Sequence, residues 1–522
     1  MNRNEMLPRA RDRREPWDIA VVGGGATGAG IAVDAAARGY EVLLLERGDF
    51  GVGTSSRSTK LVHGGVRYLQ QGHLGLVFEA LHERGRLRAN APHLVHDLGF
   101  VLPCYRFGQR LFYGLGLKTY DYLAGRYGFG HTKMLSRSET QQRLPTIALE
   151  KLRGGVLYHD GQFDDARLLI HLMMTAAGLG ATVLNYAEVH GLTHSATGAV
   201  DGVLARDLES GAEFRASARI VINAAGPFCD DIRKMANPEA PAMVAASRGS
   251  HVVLDRSFLP GDCALLVPST PDGRVLFVIP WHGHTLVGTT DIALSSAPVE
   301  PRCTEEEMNF ILETAGRYLT KPPRPEDVLS TFAGIRPLVK AGGGKTSKLS
   351  RDFSIRDDQP GLLTVAGGKW TTYRAMAEAC VNRAAAIAKL PAMPCPTKEL
   401  SLHGYHLNAA EFGDLAGYGS DAPEIRRLVE NDPALGERLH PDLPYIAAEV
   451  VWAAREEMAR SVEDVLARRT RALVLNAKAA TAMAPRVAEL LARELGRDAN
   501  WAREQVAKAT HAGATYSGKS LV

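Results

Sequence analysis

Long apolar runs are missing from this sequence. No stretch of about 18 consecutive apolar residues occurs, so no membrane-spanning helix is predicted. The first sixteen residues lack the apolar segment of a secretory signal, and we expect residues 1–16 to form a polar N-terminal tail. Net charge is also nearly absent. Lys and Arg total 61 against 58 Asp and Glu, which argues against nucleic acid as a partner.

Cysteine patterns are equally sparse. The six cysteines form no CxxC pair, and no histidine lies at zinc-finger spacing from them. We therefore expect reduced, scattered thiols in a cytoplasmic protein, with no metal site and no dithiol relay. Glycine is in excess, at 52 of 522 residues, which indicates many tight turns or close approaches of the backbone to a ligand.

The first structured segment is predicted to be a βαβ unit. Residues 18–22 are typical of a short buried strand, 26–38 of an alanine-rich helix and 41–46 of a second strand. Two strands joined through a helix imply a parallel sheet.

A glycine motif lies between that strand and helix, with the sequence Gly23-Gly24-Gly25-Ala26-Thr27-Gly28. Gly23 permits a tight turn, Gly25 the approach of a pyrophosphate, and Gly28 close packing of helix on strand. The phosphates then lie at the helix N-terminus, and Glu46 is placed to bind an adenosine ribose. These features together predict a dinucleotide site.

Two later segments favour FAD over NAD. Residues 220–227 form a predicted strand that enters a turn at Ala225 and Gly226, and residues 361–373 form another strand, a Gly-Gly turn and a helix. Flavoproteins with two dinucleotide-binding folds return to the sheet late in this way. We expect Thr371 and Thr372 to cap the second helix, whose dipole would face the flavin pyrimidine edge.

The domain organisation follows from the remaining pattern. Further strands are predicted at 182–184, 219–223, 275–279, 285–288 and 362–365. Their alternation with helices gives an α/β class, a Rossmann-like FAD-binding fold with an added antiparallel-sheet substrate domain.

The C-terminal part differs in composition. It is rich in Ala, Arg, Glu and Leu, with helical stretches such as 447–467 and 484–496. We predict cofactor and substrate domains interleaved over residues 17–395, and an all-helical cap domain over residues 396–522.

The run from Ser58 to Leu69, STKLVHGGVRYL, resembles a signature of the FAD-dependent glycerol-3-phosphate dehydrogenases. Similar runs follow at residues 249–253, 277–281, 287–291, 334–338 and 367–374. The resemblance covers about residues 17–390 closely and is nearest to the aerobic, quinone-linked respiratory branch. Thr59 and Trp370 are mild departures, since Ser and Leu are commoner there.

The resemblance implies oxidation of sn-glycerol 3-phosphate to dihydroxyacetone phosphate, with FAD taking the C2 hydride and membrane quinone receiving the electrons. The implied catalytic residues are His251, Arg336 and His63. The implied substrate-binding residues are Arg67, Tyr68, His251, Arg336 and Lys369. The implied cofactor-binding residues are Gly23, Gly25, Ala26, Thr27, Gly28, Glu46, Thr54, Ser55, Ser56, Lys60, His63, Gly65, Ala225, Gly226, Gly368, Lys369, Trp370 and Thr371.

The chemistry of these side chains agrees with that function. A phosphate ester calls for arginine, because the guanidinium fork matches phosphate oxygens. Oxidation of an alcohol needs a base for the hydroxyl proton, and a histidine is poised near neutral pH. We favour His251 for contact with the substrate, and His63 and Lys60 for contact with the flavin.

Three alternative functions stay open at this point. One is an oxidase that passes electrons from glycerol 3-phosphate to oxygen. Another is a flavin oxidoreductase of amines or 2-hydroxy acids, and the third is a flavin-bound scaffold without activity. A homodimer is compatible with the sequence, which does not fix the oligomeric state.

The segment from Tyr105 to Phe129 contains eight aromatic residues, together with Arg106, Arg110, Lys118 and Arg126 and a single acid, Asp121. Aromatic rings with cations suit the headgroup region of an anionic bilayer. We therefore predict an anionic lipid surface as a partner, with the protein attached peripherally to the inner face of the cytoplasmic membrane.

Overall fold

The computed structural model describes residues 1–66, 69, 73–268, 270, 275–340 and 353–518. The described strands are β1 Ile19–Val22, β2 Val42–Leu45, β3 Leu61–Val62, β4 Val95–Cys104, β5 Lys133–Leu135, β6 Gly154–Phe163, β7 Thr182–Leu184, β8 Ala187–His194, β9 Val200–Asp207, β10 Glu213–Ser217, β11 Val221–Asn223, β12 Val244–Asp255, β13 Cys263–Val267, β14 Leu276–Trp281, β15 His284–Gly288, β16 Ile292–Leu294, β17 Val328–Val339, β18 Phe353–Gln359 and β19 Leu362–Gly367.

The described α-helices are α1 Arg3–Arg11, α2 Ala26–Ala37, α3 Leu74–Asn90, α4 Gln109–Ala124, α5 Arg137–Arg143, α6 Asp165–Gly178, α7 Cys229–Ala236, α8 Glu305–Gly316, α9 Tyr373–Ile387, α10 Ala422–Asn431, α11 Ala447–Glu456, α12 Ala472–Leu475, α13 Ala477–Leu495 and α14 Ala499–Tyr516. None of them, over the ranges given above, is long and apolar enough to cross a bilayer.

A six-stranded sheet contains β1 and β2 of the predicted dinucleotide unit, in the strand order β18-β19-β11-β1-β2-β7. We call the part of the molecule around this sheet the cofactor half. Its inner strands are parallel, and only β18 runs antiparallel to its neighbour. Helices α2, α6 and α9 pack on one face around a shared apolar core. The predicted βαβ unit is confirmed, and so is the α/β class.

A ten-stranded mixed sheet forms the second half, along the path β16-β12-β15-β14-β13-β4-β6-β3, with β17 paired to β12 and β5 to β6. The long pairing of β12 with β17 is antiparallel and aligns Gly249 with Gly334 and His251 with Phe332. This sheet is the predicted antiparallel-rich substrate domain, and it is assembled from segments that alternate in sequence with those of the first sheet.

The C-terminal part is helical, as predicted, but its helices begin and end elsewhere. The predicted helix 447–467 is interrupted, since α11 ends at Glu456 and a π-helical turn covers Asp464–Arg469. Helix α13 begins earlier than predicted, at Ala477, where the Asn476 side chain accepts a hydrogen bond from the amide of Ala479 (3.0 Å). These helices share an apolar core with strands of the ten-stranded sheet.

The prediction of a polar tail before Trp17 is wrong, because Arg3–Arg11 is a helix docked on the protein. Arg3 is only 7% exposed, and its guanidinium donates to Asp207 Oδ1 at 2.6 Å. The Met1 ammonium donates to the carbonyl of Glu456 at 2.7 Å. Composition alone suggested solvent exposure, whereas the charges of this segment have partners far along the chain.

Candidate functional site

The glycine turn after β1 has the backbone geometry that its sequence predicts. Gly23 has φ +112°, and a Cβ there would lie 2.6 Å from the carbonyl oxygen of Ala224. A Cβ on Gly28 would lie 1.9 Å from the Gly23 carbonyl oxygen, so this position holds α2 against the turn. The amide of Ala26 donates to Ser55 Oγ at 2.9 Å. Gly23, Gly25, Ala26 and Thr27 of the turn face a cavity, where a pyrophosphate fits the helix N-terminus.

Glu46 lies at the end of β2, beside that turn. Its carboxylate accepts hydrogen bonds from the amides of Gly24 (2.6 Å) and Gly48 (2.8 Å). Burial raises the pKa of Glu46 above its usual range, and those two amides oppose the shift. The position and chemistry of this carboxylate suit an adenosine ribose.

A cavity of about 370 Å³ extends from the glycine turn into the ten-stranded sheet. Its walls contain the predicted residues Gly23, Gly25, Ala26, Thr27, Glu46, Thr54, Ser55, His63, Ala225, Gly226, His251, Arg336, Gly368, Lys369, Trp370 and Thr371. Residues more than 300 positions apart in sequence thus share one cavity. The end of the cavity at the glycine turn and Glu46 has the features of a dinucleotide site.

His251 and Arg336 face this cavity from two paired strands. On β12, a Cβ at Gly249 would lie 2.3 Å from Arg336 Nη2, and on β15 a Cβ at Gly288 would lie 2.3 Å from His251 Cδ2. Glycine at these two positions leaves room for the guanidinium and the imidazole. The register of the sheet brings the two side chains to one wall.

The His251 ring is buried, at 2% exposure, and its Nε2 is hydrogen-bonded to Thr59 Oγ1 at 2.9 Å. It stacks on Phe332 with ring centroids 4.6 Å apart. Burial, and then the charges of Lys60 and Arg336, hold the pKa of His251 well below its usual value. The imidazole is therefore unprotonated at neutral pH, the state that a proton acceptor requires, and the same burial makes it a weaker base than an exposed histidine.

Arg336 remains partly accessible, with 26% of its side chain exposed. Its guanidinium donates to the carbonyl of Thr290 (3.1 Å), to Asp291 (3.3 Å) and to the Thr289 hydroxyl (3.2 Å). These contacts hold the Arg336 guanidinium at the cavity wall. Together with Lys369, the guanidinium supplies positive charge where an anionic substrate would bind.

The other end of the cavity is closed by the segment after β19. Trp370 donates from Nε1 to the carbonyl of Ser55 at 2.8 Å. The prediction that Thr371 and Thr372 cap α9 is wrong, because neither side chain accepts a helix amide there. Instead, the Thr371 hydroxyl accepts from the His63 amide (3.2 Å) and lies 3.3 Å from the His63 carbonyl oxygen. Thr371 thereby ties α9 to the loop that carries His63.

The predicted flavin contact of Lys60 is not seen, because its side chain points into the interior and is 0% exposed. Its ammonium donates to both oxygens of Asp165, at 2.9 and 2.7 Å, and to the Ser56 carbonyl. Burial lowers the pKa of Lys60 to about 7 although Asp165 opposes the shift, and Arg471 lowers it further. Arg471 of the C-terminal part donates to the same carboxylate at 3.1 Å.

Three further predicted residues, Gly28, Ser56 and Gly65, lie behind the cavity wall and do not line it. Arg67 and Tyr68 lie outside the described residues. The cavity also contains residues that were not predicted as site residues, among them Arg47, Arg57, Thr59, Phe228 and Phe277. Gly249 and Gly288 were the available signal for two of its functional side chains, since Gly249 lies inside the long strand β12 and Gly288 ends β15.

The aromatic segment after β4 divides into two parts. Tyr120 and Phe129 are 1% and 8% exposed and belong to the core, so the interfacial interpretation is wrong for them. We call the exposed apolar side chains on α3, α4 and the loop between β4 and α4 the aromatic face. Its members, each between 49% and 93% exposed, are Leu74, Phe78, Phe107, Leu111, Phe112, Leu115 and Tyr122.

Comparison with protein families identifies two matching models. A model of FAD dependent oxidoreductases matches residues 18–383. A model of the C-terminal domain of alpha-glycerophosphate oxidase matches residues 365–502. Together they cover the cofactor half, the substrate sheet and most of the helical C-terminal part.

Individual relatives agree with these models. The mitochondrial glycerol-3-phosphate dehydrogenase of Arabidopsis thaliana is 42% identical over 95% of this chain and 85% of its own length. The human mitochondrial glycerol-3-phosphate dehydrogenase is 41% identical over 94% of this chain and 72% of its own.

Solved structures share the fold. The glycerol-3-phosphate dehydrogenase of Bacillus halodurans, complexed with FAD, superposes with a TM-score of 0.78 at 29% identity, covering 100% of this chain and 99% of that one. An L-alpha-glycerophosphate oxidase from Mycoplasma pneumoniae, also with FAD bound, has a TM-score of 0.57 at 19% identity. It covers 73% of this chain and 97% of its own, and at that identity it shows the fold alone.

Proposed function

Because this chain belongs to the family of FAD-dependent glycerol-3-phosphate dehydrogenases, we propose that it oxidises sn-glycerol 3-phosphate to dihydroxyacetone phosphate and passes the electrons to membrane quinone. The observation that carries the substrate assignment is the pair His251 and Arg336. A neutral buried imidazole and a positively charged fork lie on one cavity wall, near the glycine turn of a dinucleotide site.

FAD is the cofactor, and the residues of the cavity fit it. The glycine turn and the N-terminus of α2 would hold the pyrophosphate, and Glu46 the ribose. Trp370, Thr371 and the loop of His63 would line the flavin. Bound FAD supplies the acceptor for the hydride from C2 of the alcohol.

The protein side chains then have two tasks. His251 accepts the proton of the C2 hydroxyl, since burial keeps its ring unprotonated. Arg336 and Lys369 bind the phosphate group, which fixes C2 relative to the flavin. Free glycerol lacks that group and should therefore be a very poor substrate.

The test is anaerobic mixing of the yellow protein with glycerol 3-phosphate in a stopped-flow spectrophotometer. We expect rapid bleaching of the flavin colour, and a rate lower by roughly 10²–10⁴-fold in His251→Ala, as for loss of a general base. Unchanged colour with glycerol 3-phosphate, or bleaching by amines or 2-hydroxy acids instead, would contradict the proposed substrate. A wild-type rate in His251→Ala would move the base elsewhere.

The electron acceptor is tested separately. An oxidase would consume oxygen at the rate of substrate oxidation without added quinone. We expect slow oxygen uptake by the reduced protein and fast reoxidation by a short-chain quinone. The opposite ranking of the two acceptors would favour the oxidase.

We further propose that the protein reaches quinone by lying peripherally on the inner face of the cytoplasmic membrane, with the aromatic face against the lipid. Phe107, Phe112 and Tyr122 are 93%, 68% and 85% exposed, an arrangement that water disfavours. Arg106, Arg110 and Lys118 lie among them in sequence and would meet lipid phosphates. Apolar rings with cations on one surface support this placement.

A further inference from the structure

We infer that a cavity between α3 and the C-terminal end of α4 binds the phosphate group of an anionic phospholipid. The inference rests on the membrane attachment proposed above and adds a specific lipid site to it. The cavity has a volume of about 500 Å³ and is distinct from the flavin cavity. Six of its lining residues carry the argument: Phe78, His82, Arg86, Tyr122, Arg126 and Tyr127.

Two guanidinium groups converge on the ring of Tyr127. The Cζ atoms of Arg126 and Arg86 lie 4.9 and 5.9 Å from its centroid, and Arg126 Nη2 donates to the phenol oxygen at 2.8 Å. Both arginines lower the pKa of Tyr127. They also lower the pKa of His82, after the larger effect of its burial. Two forks and an imidazole thus face one small volume.

The carboxylates around this site are shared with other groups. Glu83 contacts Arg86, but it also accepts two hydrogen bonds from Arg374, at 2.7 and 2.9 Å. Glu83 is therefore shared by two guanidiniums, of which Arg374 also donates to Glu378 at 2.8 Å. Asp121 accepts from the amide of Thr132 at 2.6 Å and keeps its negative charge. Arg126 donates to a phenol, and Arg86 shares its carboxylate with Arg374. Both guanidinium forks can therefore take a phosphate, whose oxygens they match.

The walls of the cavity favour a lipid over free phosphate. The ring of Phe78 packs on His82 with centroids 3.9 Å apart, and Tyr122 is 85% exposed. Both aromatic residues line the cavity and belong to the aromatic face. Along α3, Leu74, Phe78, His82 and Arg86 follow at intervals of four residues, so apolar and cationic positions share one side of the helix.

Because the cavity opens onto the aromatic face, the orientation of the bound lipid is fixed. The acyl chains would lie along the aromatic face, while the phosphate would meet Arg86 and Arg126. A lipid headgroup in this cavity would anchor the protein at a fixed depth in the interface. Nonspecific electrostatic attraction to anionic lipids does not fix the depth.

The probe is dihexanoylphosphatidylglycerol, a lipid short enough to be used as a monomer below its micelle concentration. Binding to the FAD-loaded protein is measured by isothermal titration calorimetry for the wild type, Arg126→Gln and Arg86→Gln. We expect each variant to bind roughly ten- to hundredfold more weakly, as for loss of a charge-assisted hydrogen bond. Arg427→Gln, which removes the same charge from an exposed position on the C-terminal helix α10, should keep the wild-type affinity.

Arg126 is exposed and hydrogen-bonds to the neighbouring Tyr127, so its variant should fold even if Arg86→Gln, next to buried Glu83, does not. The inference is overturned if the wild type does not bind the monomeric lipid, if Arg427→Gln loses as much affinity as Arg126→Gln, or if inorganic phosphate competes equally well. Failure of the membrane proposal looks different: the wild type would bind the monomeric lipid but not anionic vesicles.

Discussion

The imidazole of His251 is held between the Thr59 hydroxyl and the ring of Phe332. Its role as proton acceptor requires a fixed ring, so Thr59 is a positioning residue. Thr59→Val keeps the shape and removes the hydrogen bond, which is worth about 0.5–1.5 kcal/mol. We expect anaerobic flavin reduction to slow by roughly three- to tenfold, with little change in the Michaelis constant.

Thr59→Ser is the matched control, because it keeps the hydroxyl and should keep the wild-type rate. A wild-type rate in Thr59→Val would show that the hydroxyl does not position the ring. A loss of rate in Thr59→Ser alone would point to the methyl group and to packing.

Arg336 permits a second prediction at the residue scale. Its guanidinium is fixed by Thr289, Thr290 and Asp291 and lies over Gly249. Loss of a charge-assisted phosphate contact costs about 1.5–3 kcal/mol, so Arg336→Ala should raise the Michaelis constant for glycerol 3-phosphate roughly ten- to hundredfold. Steady-state kinetics with a soluble dye as acceptor measure this.

Arg336→Lys keeps the charge without the fork and should be intermediate. Arg324→Ala, a variant of a largely exposed arginine, controls for loss of charge alone. A folded, flavin-loaded Arg336→Ala with the wild-type Michaelis constant would remove Arg336 from the phosphate site.

At the scale of elements, local sequence was sufficient for the glycine turn and its flanking strands. Strand, turn and helix there lie within about thirty residues, and Gly23 and Gly28 are required by contacts inside that unit. The pairing of β12 with β17 joins residues more than seventy positions apart. No periodicity encodes that register, so the meeting of His251 and Arg336 rested on family resemblance.

Polar side chains were the main source of error. Lys60 lies in a motif of cavity residues, yet Asp165 draws its ammonium into the interior. Thr371 has the residue type of a helix cap, but its hydroxyl pairs with the His63 backbone. Each choice depends on a partner more than 100 residues away, which composition cannot reveal.

The junction between α6 and the C-terminal part supplies a prediction on pH. His93 Nε2 is hydrogen-bonded to His171 Nδ1 at 2.9 Å, and the His171 ring lies 5.7 Å from that of His403. Burial lowers the pKa of His93 from 6.5 to about 4, with Asp421 opposing and His403, His96 and Arg167 adding to the shift. Burial, and then His93, hold the pKa of His171 well below 6.5.

Between pH 6.5 and 4 the unfolded chain therefore binds more protons than the folded protein, and stability falls as the pH falls through this window. At pH 5, His93 alone should cost about 2 kcal/mol of unfolding free energy. Thermal unfolding followed by flavin fluorescence should show a smaller loss of Tm from pH 7.5 to 5 in His93→Gln than in the wild type. Equal losses would assign the acid sensitivity to other groups.

At the scale of the whole molecule, the two halves of the sequence are joined by buried charges. Arg468 and Arg469 donate to Asp49, next to the glycine turn, and Arg471 donates to Asp165. The C-terminal part is thus packed against the loop that lines the cofactor cavity. Its interpretation as a cap with its own boundary at residue 396 stays a prediction, since its apolar core is continuous with that of the ten-stranded sheet.

The membrane contact is the property that most depends on the molecule as a whole, because α3, α4 and the loop before α4 together form the aromatic face. Each basic residue near an anionic surface contributes about 1 kcal/mol to attachment. Changing Arg106, Arg110 and Lys118 to Glu should therefore weaken binding to vesicles of phosphatidylcholine and phosphatidylglycerol by at least about a hundredfold. Quinone reduction on vesicles should fall with it, while activity toward a soluble dye stays unchanged.

Arg427, Arg503 and Lys508, exposed on C-terminal helices, provide the matched triple Glu variant with the same change in net charge. If the aromatic face is the contact, this control loses little vesicle binding, because charges beyond a Debye length of about 8 Å from the lipid are screened at physiological salt. Sedimentation with vesicles at that ionic strength compares the two triple variants directly. Equal loss of vesicle binding in both triple variants would show that the attraction depends only on net charge. Undiminished binding of the variant with Arg106, Arg110 and Lys118 changed to Glu would show that α4 is not the contact. The arginines of α1 would then be the next surface to change.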